Sequence, residues 1–248
     1  MGFRFIGKAL SDKGMVRSVN QDNYYVDEKG RFFIVADGMG GHAGGQEASK
    51  IATEEIKAYL DQHWESEENS KNLLEAALKQ ANQGILKDQE THPERGDMGT
   101  TVVLVAFRQE QPWVAHIGDS RLYRLRGTQL EQITEDHTWV AKALQAGEIT
   151  KEEARSHPWR HVLSQCLGRR DIHQIDIEIM DVKPGDRLIL CSDGLTEEVP
   201  DDLINASIEE SANIEEAVTK LVEEAKKAGG SDNVTVIIVA EDSQNTEN

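Results

Sequence analysis

The sequence predicts an α+β fold, with a central sandwich of two antiparallel β-sheets flanked by pairs of α-helices in α-β-β-α layers. Strand-like segments come in runs, helix-like segments come in pairs, and turn residues separate the short strands. The 248 residues contain no evident linker and no internal repeat. We therefore expect one domain over residues 1–240 and a disordered polar tail over residues 241–248.

The N-terminal third of the chain begins with strands and continues with a helix pair. Apolar residues and their flanking turns predict strands at 3–10, 24–28 and 31–37. Apolar residues then recur at helical spacing over about 46–62 and again over about 67–90. Two successive helices after a run of strands favour helices stacked outside a sheet over alternating βαβ units.

The rest of the chain repeats this order. Four strands are predicted from residue 99 onward, in TTVVLVAF, PWVAHIG, RLYRLR and TQLEQIT. A weak helical pattern over 137–160 ends near His157-Pro158. Strands are predicted next in IHQIDIEIM and DRLILC, then helices at about 200–208 and 213–228, and a last strand in NVTVIIVA.

Composition excludes several classes of partner and location. The net charge of −18 argues against nucleic acid and anionic membranes, which carry the same sign. Two cysteines are too few for a disulfide framework, which favours a reducing compartment. Neither a signal peptide nor an apolar run of membrane-spanning length is evident. We therefore expect a cytoplasmic protein.

Aspartates stand at the ends of four predicted strands. FFIVA ends in Asp37-Gly38, WVAHIG ends in Asp119, RLILCS ends in Asp193, and the last strand begins just after Asp232. Turn chemistry explains any one of them alone, since Asp favours turns and helix caps. Strand ends cluster at the ends of a sandwich, however, and converging carboxylates repel one another unless a cation lies between them. Oxygen ligands favour Mg²⁺ or Mn²⁺.

Two other chemistries fit the sequence less well. Residues 38–43 match the dinucleotide fingerprint GxGxxG/A, but Asp37 would repel a pyrophosphate and the expected second strand is missing. A cysteine phosphatase needs an arginine six residues after its cysteine, whereas Ile172 occupies that position after Cys166. Neither reading accounts for the four strand-end aspartates.

Six motifs together resemble one known family. They are, in order, SDKGMVRSVNQD, VADGMGGHAGG, MGTTVV, AHIGDSRLYRLR, CSDGLTEEV and GGSDNVTVIIV. They resemble those of the metal-dependent protein phosphatases of the PPM, or type-2C, family in its bacterial form, over essentially residues 4–240. The resemblance implies the sandwich fold and a serine/threonine phosphoprotein phosphatase.

The resemblance also implies a centre of two Mn²⁺ or Mg²⁺ ions, with a third, weaker ion. Matched motif by motif, Asp37 bridges the two metals, the carbonyl of Gly38 binds one, Asp193 and Asp232 bind the other, Asp22 holds metal-bound water, and Asp119 with Asp193 binds the third ion. The glycine after Asp37 would let the backbone turn so that its carbonyl faces a metal.

The implied reaction is an in-line attack on the phosphomonoester by a hydroxide that bridges the two ions, without a phosphoenzyme. Arg17 matches the phosphate-binding arginine and would hold the equatorial oxygens. The leaving alkoxide needs a proton, for which His42 and a metal-bound water are both candidates. The eukaryotic branch has a histidine directly after its Asp-Gly pair, where this chain has Met39, so both candidates remain open.

The implied partners are phosphoserine and phosphothreonine proteins, acted on by a monomer that binds no nucleic acid or membrane. Residues 144–165 correspond to the variable flap beside the family's active site, which either steers protein substrates or is a structural excursion. HPWRHVLSQCLGR resembles a cyanobacterial branch whose members dephosphorylate the signalling protein PII on serine. A pseudophosphatase that only binds a partner would lack metal ligands, whereas every aspartate position is filled here.

Overall fold

A computed structural model of the protein describes residues 4–41, 44–173 and 175–242. The strands are β1 (Phe5–Asp12), β2 (Asp22–Val26), β3 (Phe32–Met39), β4 (Gly99–Thr100), β5 (Val102–Arg108), β6 (Gln111–Ile117), β7 (Arg121–Arg126), β8 (Gln129–Gln132), β9 (Asp176–Ile179), β10 (Arg187–Cys191) and β11 (Val234–Glu241). The helices are α1 (Gly44–His63), α2 (Ser70–Thr91), α3 (Trp139–Gln145), α4 (Lys151–Ser156), α5 (Asp193–Thr196), α6 (Asp201–Glu209) and α7 (Ile214–Ala228), with a 3₁₀ turn at Pro93–Arg95.

The strands form two antiparallel sheets. The first sheet has the order β1-β11-β10-β7-β8, and the second has the order β2-β3-β5-β6-β9 with β4 paired to β3. One apolar core lies between the two sheets. A second core packs α1 and α2 onto the outer face of the second sheet, and a third packs α6 and α7 onto the outer face of the first. The predicted α+β sandwich with flanking helix pairs is confirmed.

Strand β3 explains why some predicted strands are apolar along their whole length. Phe32, Ile34 and Ala36 belong to the core beneath α1 and α2. Phe33 and Val35 point the other way, into the core between the sheets. Side chains alternate faces along a strand, so a strand covered on both faces needs apolar residues at every position. The polar residues of such a strand can lie only near its ends, and the candidate site described below lies at one of these ends.

The segment predicted as one weak helix over 137–160 is instead two short helices, α3 and α4. Gly147 has a φ of +73° just after α3 and stops it. Thr150 then starts α4 with a capping box, in which its side chain accepts a hydrogen bond from the N–H of Glu153 and the Glu153 carboxylate accepts one from Thr150. The segment therefore re-initiates a helix rather than continuing one.

Two further boundaries differ from the prediction. Of the strand expected over 172–180, the structure shows the four residues of β9, which pair with Trp113 to His116 of β6. Residues 241 and 242, predicted to belong to the disordered tail, are ordered, since Glu241 ends β11 and the N–H of Asp242 donates to the carbonyl of Arg4 at 2.8 Å. Residues 243–248 lie outside the described part of the chain. Among the described helices, none is long and apolar enough to cross a membrane.

Candidate active site

Asp22 and Asp37 lie directly opposite each other on neighbouring strands. Asp22 opens β2 and is paired with Asp37 in the antiparallel register of β2 and β3. The sequence predicted a strand over 24–28, whereas β2 begins two residues earlier, at Asp22. Its Oδ2 atom accepts hydrogen bonds from the hydroxyls of Ser192 and Thr235, each at 2.7 Å. Because Thr235 lies in β11 of the other sheet and Ser192 directly follows β10 of that sheet, Asp22 joins the two sheets at this end of the sandwich.

Packing also requires a glycine at position 38. It lies inside β3, which continues to Met39 and pairs there with β4. A Cβ atom at Gly38 would lie 1.9 Å from the carbonyl oxygen of Gly45 and 2.6 Å from that of Gln21. No other residue fits that space, so the glycine allows the start of α1 to pack against the backbone that follows Asp37.

Asp119 and Asp193 reach the same place from two other strands. Asp193 is the first residue of α5 and follows β10 after one residue. Asp119 follows Gly118, whose φ of +107° turns the chain at the end of β6. A Cβ on Gly118 would also lie 2.5 Å from the Cγ2 atom of Thr101. The turn that carries Asp119 therefore depends on glycine both for its backbone angle and for space.

The pKa values of these carboxyl groups show their mutual repulsion. Burial raises the pKa of Asp22 to about 7, and the charge of Asp193 adds to this against the hydrogen bonds from the two hydroxyls. Burial, followed by the charges of Asp22, Asp193 and Asp119, raises the pKa of Asp37 well above its usual range. Burial and the charge of Asp193 do the same to the pKa of Asp119. The four carboxylates cannot all ionise at neutral pH unless added positive charge offsets the repulsion.

Asp232 lies at the edge of this group and is paired with Arg17. The Nη2 atom of Arg17 donates to Asp232 Oδ2 at 2.6 Å, although half of the arginine side chain is exposed. Asn233 holds the two segments together, since its Nδ2 donates to the carbonyls of Lys13 and Val19 and its Oδ1 accepts from the N–H of Gln21. The polar loop that carries Arg17 is therefore fixed against the start of β11.

The chemistry of the donor atoms fits hard divalent cations. Asp22 Oδ1 and Asp193 Oδ1 are buried and have no hydrogen-bond partner within the described residues. A buried carboxylate oxygen without a partner is costly unless a ligand such as a cation satisfies it. The predicted ligands offer only oxygen atoms, which suits Mg²⁺ or Mn²⁺ better than softer metals.

One residue of the predicted flap approaches this group. The ligand atoms of His161, Asp193 and Glu197 all lie within 4.8 Å of one another. His161 Nδ1 is 2.5 Å from Glu197 Oε1. Burial and then the charge of Asp193 raise the pKa of Glu197 to about 7. The segment 144–165 thus contacts the core of the protein immediately beside Asp193.

Several supporting residues were missed by the sequence reasoning. Thr101 Oγ1 accepts a hydrogen bond from the N–H of Asp37 at 3.0 Å and lies 2.6 Å from Ser120 Oγ. Ser192 and Asn233 directly adjoin Asp193 and Asp232 in the motifs CSDG and SDNV, so their positions carried a signal. Thr235 carried none, because its contact with Asp22 depends on how β2 of one sheet faces β11 of the other.

The predicted proton donor His42 lies outside the described residues. The two cysteines do not belong to the carboxylate group. Cys166 and Cys191 are buried and free. Burial raises the pKa of Cys166, and it raises the pKa of Cys191 to about 12, so neither thiol forms a nucleophilic thiolate at neutral pH.

Comparison with known proteins gives a consistent result. The family model described as Protein phosphatase 2C matches residues 13–233. The chain is 38% identical over 233 residues to the serine/threonine protein phosphatase PstP of Mycobacterium tuberculosis, covering 93% of this chain and 44% of that protein. It is 36% identical over 242 residues to the protein phosphatase PhpP of Streptococcus pneumoniae, covering 96% of this chain and 98% of that protein. The chain therefore spans less than half of the mycobacterial relative.

Solved structures agree with the sequence relatives. A crystal structure of the Mycobacterium tuberculosis serine/threonine phosphatase PstP/Ppp superposes with a TM-score of 0.86 at 36% identity, covering 96% of this chain and 98% of that one. The catalytic domain of PstP in complex with two manganese ions gives a TM-score of 0.84 at 34% identity, covering 96% and 99%. The similarity thus extends over nearly the whole fold described above.

Proposed function

Because this chain belongs to the protein phosphatase 2C family, we propose that it is a Mn²⁺- or Mg²⁺-dependent serine/threonine phosphoprotein phosphatase, folded as one catalytic domain. One observation carries the proposal. Asp22, Asp37, Asp119 and Asp193 converge from both sheets, and two of their buried oxygens lack a hydrogen-bond partner in the described chain. Buried like charges of this kind are maintained where a cation binds them.

The chain's own residues would hold two cations, as follows. Asp37 would bridge them, the carbonyl of Gly38 would bind one, and Asp193 and Asp232 would bind the other. Asp22 would act through a solvent molecule, which agrees with its unpartnered Oδ1 and its fixed Oδ2. Asp119 would share a third, weaker ion with Asp193. The two manganese ions bound to the catalytic domain of PstP support this number.

The cations would supply positive charge for a dianionic phosphate and lower the pKa of a bound water, so that hydroxide is available at neutral pH. Arg17 would bind the equatorial phosphate oxygens with its guanidinium group. It is half exposed and within 2.6 Å of Asp232, so it can turn toward a phosphate without leaving the site. Arg17 would thereby orient the phosphorus for attack in line with the leaving oxygen.

Hydrolysis would proceed without a phosphoenzyme. Both thiols are buried with raised pKa values, which removes the usual covalent nucleophile of another phosphatase class. The leaving alkoxide would take a proton from His42, in the glycine-rich loop, or from solvent. His42 remains a candidate on its sequence position alone.

The substrates would be phosphoserine and phosphothreonine proteins. The likeness of HPWRHVLSQCLGR to the cyanobacterial branch makes phosphorylated PII a specific candidate. The contact of His161 with Glu197 beside Asp193 supports a role of the flap in receiving such a substrate. We propose a monomer that acts in the cytoplasm. The net charge of −18 supports the exclusion of nucleic acid and anionic membranes as partners.

Purified protein assayed with p-nitrophenyl phosphate and a phosphoserine peptide tests the proposal. We expect turnover with Mn²⁺, none with a chelator, and a loss in Asp193→Asn of about 10³-fold, since cation charge contributes several kcal/mol. Asp202→Asn, an exposed acid at the start of α6, is the matched control. Mn²⁺ binding without turnover on either substrate would instead favour a pseudophosphatase. Phosphorylated PII, compared with a scrambled phosphopeptide, tests the specific substrate.

A further inference from the structure

Two buried histidines lie behind the carboxylate group and are not part of it. The rings of His116 and His137 are stacked with centroids 4.5 Å apart. His116 Nε2 lies 2.9 Å from the carbonyl oxygen of Glu135. His137 follows β8 in the chain and faces the Gly118 turn. Buried imidazoles are uncommon enough to need an explanation, and the proposed reaction uses neither of them.

The contacts of His137 define where its proton lies. The N–H of Gly118 donates to His137 Nδ1 at 3.2 Å, so Nδ1 is an acceptor and carries no proton. His137 Nε2 lies 3.1 Å from Asp176 Oδ2, so the proton on Nε2 is donated to that carboxylate. The ring is therefore the neutral tautomer with hydrogen on Nε2, and Asp176 selects it.

His137 holds Gly118 on both of its backbone polar groups. Besides accepting from the N–H of Gly118 at Nδ1, His137 donates its own N–H to the Gly118 carbonyl at 2.9 Å. On the other side of Asp119, the Nε and Nη2 atoms of Arg121 donate to Asp136 at 2.9 and 2.7 Å. The pair Asp136-His137 thus clamps the chain on both sides of Asp119.

The same segment carries the base of the flap. The carbonyl of His137 accepts a hydrogen bond from the N–H of Ser164 at 2.8 Å, and the N–H of Trp139 donates to the carbonyl of Val162 at 2.8 Å. The chain runs from His137 through α3 into the flap segment 144–165. Near the end of that segment, Val162 and Ser164 pair back with Trp139 and His137. A change in the flap base would therefore act on the residue that holds the Asp119 turn.

From these contacts we propose that His137 is a positioning residue for Asp119. Its Nδ1 atom fixes the Gly118 turn and so aims the Asp119 carboxylate at its cation, while Asp176 keeps the imidazole in the tautomer that can do this. The inference rests on the proposed function, because it assigns Asp119 a cation. The alternative, that His116, His137 and Asp176 themselves bind a metal, is disfavoured because both nitrogens of His137 already have partners.

Two isosteric variants separate this role from simple packing. Asn places an oxygen acceptor near the position of Nδ1, whereas Gln places its amide near Nε2 and leaves the N–H of Gly118 unpaired. We expect His137→Gln to lose about 10-fold or more in turnover and in Mn²⁺ affinity at the weakest site measured by calorimetry, as is typical of groups that orient metal ligands. His137→Asn should lose several-fold less, with similar loss of ring packing. Equal losses in both would overturn the proposal.

A double-mutant comparison asks whether the effect passes through Asp119. In an Asp119→Asn background, His137→Gln should reduce turnover by no more than about 2-fold, because the carboxylate that it positions is absent. A full, multiplicative loss in that background would contradict the proposal. Asp176→Asn, whose amide no longer dictates which ring nitrogen carries the proton, replaces the Gln variant if that variant does not fold, and the same two outcomes apply.

A spectroscopic measurement is independent of turnover. Long-range ¹H–¹⁵N spectra of the metal-free protein should show His137 neutral, with hydrogen on Nε2 and not on Nδ1. A proton on Nδ1 would overturn the proposal even in an active enzyme. If the protein proved inactive while the spectrum showed the expected tautomer, the proposed function would fail and the contact between His137 and Gly118 would still stand.

Discussion

Two buried aspartates mark the two ends of β2 and differ in how their charge is balanced. Asp22 is 9% exposed and Asp27, just beyond the strand, is 4% exposed. Asp27 accepts hydrogen bonds from the N–H, Nε and Nη2 of Arg31, at 3.0, 2.9 and 2.7 Å. The Oδ2 atom of Asp22 accepts from two hydroxyls, and Asp22 stands opposite another carboxylate.

The pKa values move in opposite directions for this reason. Burial alone would raise both, but the hydrogen bonds and charge of Arg31 lower the pKa of Asp27 below its usual value. At Asp22 the hydrogen bonds from the two hydroxyls do not offset burial and the charge of Asp193, so its pKa rises to about 7. Arg31 balances the charge of Asp27 within the protein, whereas the charge at Asp22 and Asp37 would be balanced by the cations proposed above. Burial of an acid is thus a weak sign of function, and burial without an internal counter-charge is a strong one.

The largest expected effect is on activity. Asp37→Asn should reduce turnover of p-nitrophenyl phosphate in Mn²⁺ by about 10³-fold, because it removes the carboxylate proposed to bridge both cations. Asp27→Asn should stay within about 3-fold of the wild type at 25 °C, since Asp27 balances only Arg31. Steady-state rates at saturating Mn²⁺ measure both. Circular dichroism should first show that both variants are folded. If both then lost turnover to a similar degree, the proposed difference in function between the acids at the two ends of β2 would be wrong.

The next effect is on stability and falls on the other aspartate. Asp27→Ala should destabilise the protein by about 3 kcal/mol, because it leaves the mostly buried Arg31 with Asp61 as its remaining acidic partner. Urea unfolding in a chelator measures the free energy of unfolding. Asp37→Ala is the contrasting variant, because it relieves repulsion in the metal-free protein and should cost distinctly less. A larger loss in Asp37→Ala would show that the carboxylate group holds the metal-free fold together.

The sequence predicted the features that depend on neighbouring residues better than the contacts that depend on how distant strands pair. The apolar strands, the helix pairs and the positions of Asp37, Asp119 and Asp193 near strand ends could all be predicted from spacing. The contact of Gly38 with Gly45 could not be predicted, because it comes from the packing of α1, which no local pattern shows. The hydroxyl of Thr235 and the imidazole of His137 meet the site only through long-range pairing, so their spacing carries no signal.

The smallest expected effect is on the pH dependence of stability, to which Asp22 and Asp27 should contribute with opposite signs. Asp22 has a pKa of about 7 in the folded protein and about 4 when unfolded. Between these values the folded state binds a proton that the unfolded state has lost, so stability falls as pH rises, by up to about 1.4 kcal/mol per pH unit for one such group. Asp27, with a lowered folded pKa, contributes stability above pH 4 that is lost only as pH falls below it.

Unfolding in urea from pH 5 to pH 7.5 tests this sign. In a chelator the wild type should become less stable as pH rises, and Asp22→Asn should flatten the slope while Asp27→Asn leaves it unchanged. Saturating Mn²⁺ should remove or reverse the slope, because a cation binds the ionised carboxylates and adds stability that grows with their ionisation. The wild type in a chelator could instead show a free energy of unfolding that does not change over this pH range. That result would mean that the carboxylates at this end of β2 are balanced without a cation, as Asp27 is.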